Sequence, residues 1–519
     1  MIHRRLAIAL ALTTSLALAA CGDDDDDSPP PPMDSGTDTG VRDLGGDAQS
    51  GDDAGPVDAG TQDGGREDGG AGDAGVDPLP AIVTPDAHRV PASAAGHDRY
   101  YGVAFAPDSS FYVTGTWQTG TAATDDVETV VAHFGADGEL DTTFGTGGFV
   151  RQNLAVAANA ELARGIVLQT VGANAGKIVV SATIEHLGGD PRDRDVAAFR
   201  LDTDGTLDTT FGVGGIAIID LSAGEVVGTG FVADSTYGLA VDATDRLVLS
   251  GSRKRNDNSD SDFAVLRLTA NGALDATFAT TGVFSLDIDE VNASARGVSI
   301  VAGGGVVVSG YFSPPSGAGA IAPVLFKLTT NGALDTTFAT NGIYSSVVLA
   351  AQTEVYGVAV QSDGSLVTTG YGRDDTGGDN DWVSLRFSSM GVRDTTYGMA
   401  GVALLGGFDL SDNTRALITL PDDGVMLVGA LRVPAAGVPA GVQDAAIALF
   451  TADGLPATSF GSEGVELVDF GGAADHFWAA ALNPTGTRVV VVGIATADPV
   501  TNDDGAIWLM RTPAATIAP

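Results

Sequence analysis

From residue 81 onward, apolar residues come in short runs broken by turn residues. Val355-Tyr-Gly-Val-Ala-Val360 leads into the turn Ser362-Asp-Gly364, and Ser365-Leu-Val-Thr-Thr-Gly370 leads into a longer loop. Trp382-Val-Ser-Leu-Arg-Phe387 then precedes a turn at Met390-Gly391, and Gly401-Val-Ala-Leu-Leu405 ends the unit. Runs this short between Asp-Gly-type turns predict β-hairpins rather than helices. The unit is a four-stranded meander, with strands a to d.

Strand a recurs at Gly102, Gly165, Gly238, Gly297, Gly357, Ala416 and Ala479, and strand c at Val130, Val196, Phe263, Val324, Trp382, Ala446 and Ala506. Between c and d the chain repeats one phrase. Gly138-Glu-Leu-Asp-Thr-Thr-Phe144 returns at Gly205–Phe211, Gly272–Phe278, Gly332–Phe338, Gly391–Tyr397 and, degraded, Gly454–Phe460. The anchor aromatics are 67, 67, 60, 59 and 63 residues apart, a period that belongs to propellers or solenoids. Strand d is recognisable only six times, near Gly148, Gly215, Gly282, Gly342, Gly401 and Gly464. Ala81-Ile-Val-Thr84, ahead of the first strand a, supplies the missing copy. The expected fold is therefore all-β, a seven-bladed β-propeller of four-stranded antiparallel blades over residues 81–519. An N-terminal strand at about 81–86 completes the blade built by residues 477–511. Closure of this kind leaves no open sheet edge, whereas a solenoid would need end caps.

The Asp/Asn-Gly turn, the Leu-Asp-Thr-Thr-Phe-Gly corner and the Gly-Gly-hydrophobic strand after it, as at Asp204 to Ile216, resemble delta-60 repeats. These are β-propeller repeats of secreted bacterial proteins. The resemblance spans about residues 100–511 and implies a fold, not an activity; the sixth unit departs from it, with Pro456 and Ala457 in place of Leu-Asp. The corner aspartates Asp141, Asp208, Asp275, Asp335 and Asp394 are expected to cap backbone amides, with the aromatic packed between blades. The glycine-rich stretches after the corners join strand to strand. With no helix N-terminus to receive an anion, they are not phosphate loops.

The ends add a location. His3, Arg4 and Arg5 precede an apolar run from Leu6 to Ala20, too short to span a bilayer, so residues 1–20 read as a signal peptide. Leu18-Ala19-Ala20-Cys21 resembles a bacterial lipobox, which implies lipidation of Cys21 and a membrane partner through that lipid. Cys21 is the only cysteine, so no internal disulfide exists. Gly22 at the next position resembles outer-membrane rather than inner-membrane lipoproteins. Residues 22–80 hold 17 acidic residues and 2 arginines among Gly, Pro and Ala, and are expected to form a disordered, self-repelling stalk. Which leaflet the protein faces stays open.

Charge then excludes a function class. The chain carries 67 acidic against 26 basic residues, net −41, a surface that repels nucleic acid. In an up-and-down blade the b–c and d–a loops share one face. Here the b–c loops are long and differ in every blade, so this is the expected binding face, for a protein or a glycan, on a monomer. It is acidic, with Asp98, Glu161, Asp234, Glu354, Asp412 and Asp475 before strand a, and Asp193/Asp195, Asp260/Asp262 and Asp379/Asp381 before strand c. Asn256, Asn258, Asp260 and Asp262 alternate as hard oxygen donors and are the candidate Ca²⁺ set, although the Gly and distal Glu of an EF-hand are missing. A second regularity precedes the strand-a Gly or Ala. Tyr101, Arg164, Tyr237, Arg296, Tyr356, Arg415 and Trp478 alternate aromatic with Arg, which suits either inter-blade stacking or a ligand funnel at the channel mouth. No Gly-x-Ser-x-Gly elbow or metal-spaced histidine pair accompanies them. A binding scaffold is therefore expected. The alternative is an envelope hydrolase or oxidoreductase with a cation-dependent site at the channel mouth.

Overall fold

The computed structural model describes residues 86–514 except 93–95, 119, 121–124, 155–160, 187–192, 223–233, 255–259, 289–290, 315–318, 376–377, 407–409, 436–437, 472–473 and 499–501. Seven antiparallel sheets follow one another along the chain, forming a seven-bladed propeller. Blade 1 comprises strands a (Asp98–Phe105), b (Phe111–Gln118), c (Val127–Phe134) and d (Phe149–Gln152). Blades 2 to 6 repeat that order. In blade 5, strand c is interrupted at Leu385, whose N–H donates to Thr368 Oγ1 at 3.1 Å instead of to the ladder.

Blade 7 joins strand a (His476–Leu482), b (Arg488–Asp498) and c (Asn502–Arg511) to a d strand from the start of the chain, Asp86–Arg89. The described strand shares Asp86 with the expected 81–86 and runs on to Arg89; residues 81–85 lie outside the described residues. Asp86 lies opposite Leu509 and Arg89 opposite Ala506. The strand therefore enters from the a–b/c–d face and runs toward the b–c/d–a face. Two expected loops prove to be hairpin extensions. Strands b and c pair out to Ala435↔Val438 in blade 6 and to Asp498↔Asn502 in blade 7.

The repeated phrase is the inter-blade seam. Each aromatic lies on the glycine that opens the next blade's phrase. A Cβ on Gly205, Gly272, Gly332, Gly391 or Gly454 would come within about 3 Å of the ring of Phe144, Phe211, Phe278, Phe338 or Tyr397 respectively. The residue after each aromatic donates its N–H across the same seam, as from Gly212 to Asn271 O at 2.8 Å and from Ala339 to Met390 O at 2.7 Å. The aspartate does the work expected of it. Asp208 Oδ1 accepts from Thr210 N (3.0 Å) and Oγ1 (2.7 Å), and Asp275, Asp335 and Asp394 make the same pair of bonds.

Its other oxygen takes a basic side chain that the sequence does not pair with it. Strand c supplies Arg200 to Asp208 (2.7 Å), Arg267 to Asp275 (2.8 Å), Lys327 to Asp335 (3.3 Å), Arg386 to Asp394 (2.6 Å) and His133 to Asp141 (2.9 Å). The sixth unit replaces both members, with Leu449 on strand c and Ala457 at the corner, whose backbones still meet (Ala457 N to Leu449 O, 2.8 Å). Blade 7 has no c–d turn, since its d strand comes from the other end of the chain. The sixth corner accordingly has no turn to hold, and Phe460 is half-buried where the five other anchors are at most 2 % exposed. The final seam uses substitutes: Leu509 approaches Gly138, and the guanidinium of Arg488 donates to Ala136 O at 2.6 Å.

Candidate functional site

Every strand a carries a one-residue bulge, and all seven bulges fall at the same place. The register against strand b slips between Tyr100/Gly102, Ala163/Gly165, Thr236/Gly238, Ala295/Gly297, Val355/Gly357, Thr414/Ala416 and Phe477/Ala479. The skipped residues are Tyr101, Arg164, Tyr237, Arg296, Tyr356, Arg415 and Trp478. A bulge re-aims the extra side chain. The small residue after it lets neighbouring inner strands approach: a Cβ on Gly165 would lie 2.5 Å from Leu239 Cβ.

These seven candidates form one buried layer, each at most 7 % exposed. The Arg164 guanidinium lies 4.7 Å from the Tyr237 ring centroid, and Arg296 lies 4.1 Å from Tyr237 and 5.2 Å from Tyr356. Arg415 is 4.8 Å from Tyr356 and 5.2 Å from Trp478, and Trp478 meets Tyr101 edge-on at 5.2 Å. The aromatic–aromatic junction forced by an odd blade count is this last pair. The guanidinium faces are thus occupied by neighbouring rings.

Polar residues adjoin the ring. Tyr356 Oη donates to Glu354 Oε2 (2.8 Å) and meets Tyr371 Oη at 3.0 Å, Gln352 donates to Glu354 Oε1 (2.6 Å), and Arg296 donates to Tyr311 Oη (2.7 Å). Burial pushes the Glu354 carboxyl and the Tyr311, Tyr356 and Tyr371 phenols up. His476 stacks on Trp478 at 4.4 Å, and burial, with Arg415 beside it, drives its pKa well down, so it stays neutral. Arg99 reaches Asp503 at 2.7 Å. Tyr311 and Tyr371 were missed in the sequence; they occupy equivalent strand-b positions in blades 4 and 5 and are legible only once the blades are superposed.

The acids before strand a are buried as well, and four of them cap backbone amides. Asp475 accepts from Phe470 N (2.7 Å) and Thr496 N (2.9 Å), and Asp412 from Arg432 N (2.7 Å). Glu161 accepts from Thr129 N (3.3 Å) and Leu154 N, and Asp234 from Leu221 N (2.5 Å), Ser222 N (2.8 Å) and Ser222 Oγ. Burial outweighs these bonds at Asp234, whose pKa rises to about 7.

Two clusters of possible metal ligands lie where strands c and d end on this face. One joins Asp260 and Asp262 to Asp287, all within 4.8 Å of one another. Asn256 and Asn258 of the expected Ca²⁺ set lie outside the described residues; Asp287, 25 positions after Asp262, has no local spacing signal. Three carboxylates suit a hard divalent cation. The other cluster is His186, Asp195 and Asp220, again within 4.8 Å. Asp193 beside it is raised to about 6, by burial first and by Asp195, against the His186 imidazole. Two shallow surface depressions lie on the opposite face, one at the seam lined by Thr277, Ala279, Asn331 and Gly332, the other lined by Asp363, Arg386, Arg393 and Asp453. Neither contains a residue of the ring or of these two ligand clusters.

Comparison with known proteins gives the fold independently. Residues 176–211, 243–278 and 304–338 match a family described as "Domain of unknown function (DUF5122) beta-propeller". Each segment runs from strand b to the corner aromatic of one blade. No curated protein matches the sequence. Among solved structures, a glucose dehydrogenase is similar at 14 % identity, covering 66 % of this chain and 96 % of its own (TM-score 0.38). An ulvan lyase bound to a GlcA–Rha3S oligosaccharide aligns at 9 % identity over 82 % of this chain and 96 % of its own (TM-score 0.43). An α-L-arabinofuranosidase from Fusarium graminearum aligns at 11 % identity over 70 % and 97 % (TM-score 0.43). No activity is carried from them to this chain. The chain is a β-propeller built from repeated blades.

Proposed function

We propose that the protein is a lipid-anchored, delta-60-type propeller of the bacterial envelope that binds a protein or glycan through its b–c/d–a loop face. The observation that carries this reading is the direction of the closing strand. Asp86 pairs with Leu509 near the end of the last strand c, so the segment leading back to Cys21 joins the propeller on the a–b/c–d face. A tether attached there leaves the face with the long, unequal loops unobstructed. That face also carries the acidic corners of blades 2 and 3, whereas the repeated phrase on the other face is consumed in holding blades together. Catalysis finds less support, because the buried Arg, Tyr and Glu side chains at the axis are already bonded to one another.

Fatty-acid labelling of the full chain in a bacterial host tests the anchor. The native chain is expected to take up label and sediment with outer membranes, and Cys21→Ser to lose both. A labelled Cys21→Ser chain, or an unlabelled native one, would remove the anchor from this reading.

A further inference from the structure

We propose that blade 2 carries a first-row divalent metal site, of the Zn²⁺ or Mn²⁺ class, formed by His186, Asp195 and Asp220 with Asp193 beside them. Three adjacent strands of one sheet deliver the ligands. His186 follows strand b (Ile178–Glu185), Asp195 lies on strand c (Arg194–Leu201), and Asp220 follows strand d (Ile216–Ile219). Strands b and c are in register through Ile184↔Asp195, and c and d through Val196↔Ile219. The donors therefore sit on ladder-held strand ends rather than on a free loop, the arrangement that holds a coordination geometry best.

Spacing and charge both fit. His186 Nδ1 stands 3.1 Å from each carboxylate oxygen of Asp195, and one donor atom from each of the three residues lies within 4.8 Å of the others. Ligands held about 2.0–2.2 Å from one ion are separated by edges of about 3–3.5 Å. Asp195 is 2 % exposed, so its charge is poorly served by water. Three carboxylates converge here; among the described residues His186 faces two of them, at 3.1 Å from Asp195 and 3.9 Å from Asp193, while the neighbouring Arg194 faces Glu185 at 3.5 Å. Blade 3 repeats the two strand-end carboxylates, as Asp262 and Asp287, without a histidine. Blade 6 sets Asp444 and Asp469 at the same two positions, also without a histidine there, whereas the other blades lack the pair. In blade 1 the strand-d end offers Asn153, which donates to Asp126 at 2.8 Å; in blade 5 it is Gly406, and in blade 4 Ala322 replaces the aspartate of strand c. An imidazole joined to carboxylates selects first-row ions over Ca²⁺. The site escapes sequence reading because its ligands are 9 and 25 residues apart and meet only through sheet pairing.

The test is calorimetric titration of the untagged, metal-stripped chain with Zn²⁺, and in parallel with Ca²⁺. One Zn²⁺ per chain is expected, bound more tightly than Ca²⁺. His186→Ala and Asp220→Asn should each weaken it by at least about 10-fold, and Glu139→Gln on the opposite face should leave it unchanged. Asp220 is exposed, so its variant keeps the test valid should His186→Ala fold poorly. Absence of Zn²⁺ binding, Zn²⁺ binding indifferent to Asp220→Asn, or preference for Ca²⁺ would overturn the proposal.

Discussion

At the scale of single residues, the account rests on pairs that recur blade after blade. The side chain of Arg200 is 1 % exposed and bonds Asp208, Gln169 Oε1 (2.9 Å) and, across the seam, Ala270 O (2.7 Å). Burial alone would raise the Asp208 carboxyl, but Lys177, Thr210 and Arg200 together hold it well below the carboxylate range. Removing one member of such a pair strands a buried charge and costs about 3–5 kcal/mol, while replacing both can be close to neutral. Asp208→Ala and Arg200→Leu should therefore each lower stability strongly. The double variant, a copy of the natural Leu449–Ala457 pair, should lose much less than their sum in a urea-unfolding cycle. Additive losses would mean that the pair is not a unit. The seam contact gives a second comparison. Phe278→Ala removes a fully buried ring and should cost about 3–5 kcal/mol, against a smaller loss for the half-buried Phe460. Equal losses would contradict the explanation of why the sixth copy is degraded.

At the scale of elements, the closing strand ties the two ends of the described chain together. Without it, the last strand c would present an unpaired edge over the Ala506–Leu509 stretch. A chain beginning at residue 96 should melt at lower temperature than one beginning at residue 81 and should associate at high concentration, as light scattering can measure. An unchanged melting point would show that the seventh blade does not need its borrowed strand. The existence of four strands per blade was legible because alternating apolar runs and Asp-Gly turns are local signals. Counting six d strands against seven of the others located the borrowed one. Its extent to Arg89 was not legible, because Ala87-His88-Arg89 shows no apolar alternation. The bulges were visible only by their consequence, the alternation of Arg and aromatic residues. Whether that alternation served packing or an open funnel depended on burial, which no local pattern encodes. The acidic corners were half legible: the run before strand c was, but Asp220 and Asp287 arrive from strand d, whose residues share no spacing with their partners.

At the scale of the whole molecule, a large negative charge meets a set of buried carboxylates. Asp234 is raised to about 7, and Asp193 and Asp444 to about 6, in each case chiefly by burial. A raised carboxylate favours the fold in its protonated form, so its stabilisation is full below the unfolded value near 3.9 and is lost as pH rises through 6 to 7. The corner aspartates run the other way. Thr396, against some burial, and Arg386 bring Asp394 down to about 2, and Asp141, Asp208, Asp275 and Asp335 are lowered too. Their contribution is present above about pH 4 and is lost as pH falls toward 2. Thermal unfolding across pH should therefore peak near pH 4–5, below the usual range. A maximum at or above pH 7 would mean that the buried acids are neutralised by some other group.

The central claim concerns which face of the ring works, and one binding comparison addresses it. The chain from residue 22 onward, immobilised through its N-terminal segment, would be presented with purified envelope polysaccharides and envelope proteins. One variant would carry Asp260, Asp262, Asp379 and Asp381 as Asn on the loop face, and another Glu139→Gln with Glu463→Gln on the face where the tether joins. The account predicts a ligand held by the native chain and by the second variant but released by the first. A ligand lost from the tether-face variant and kept by the loop-face variant would contradict it.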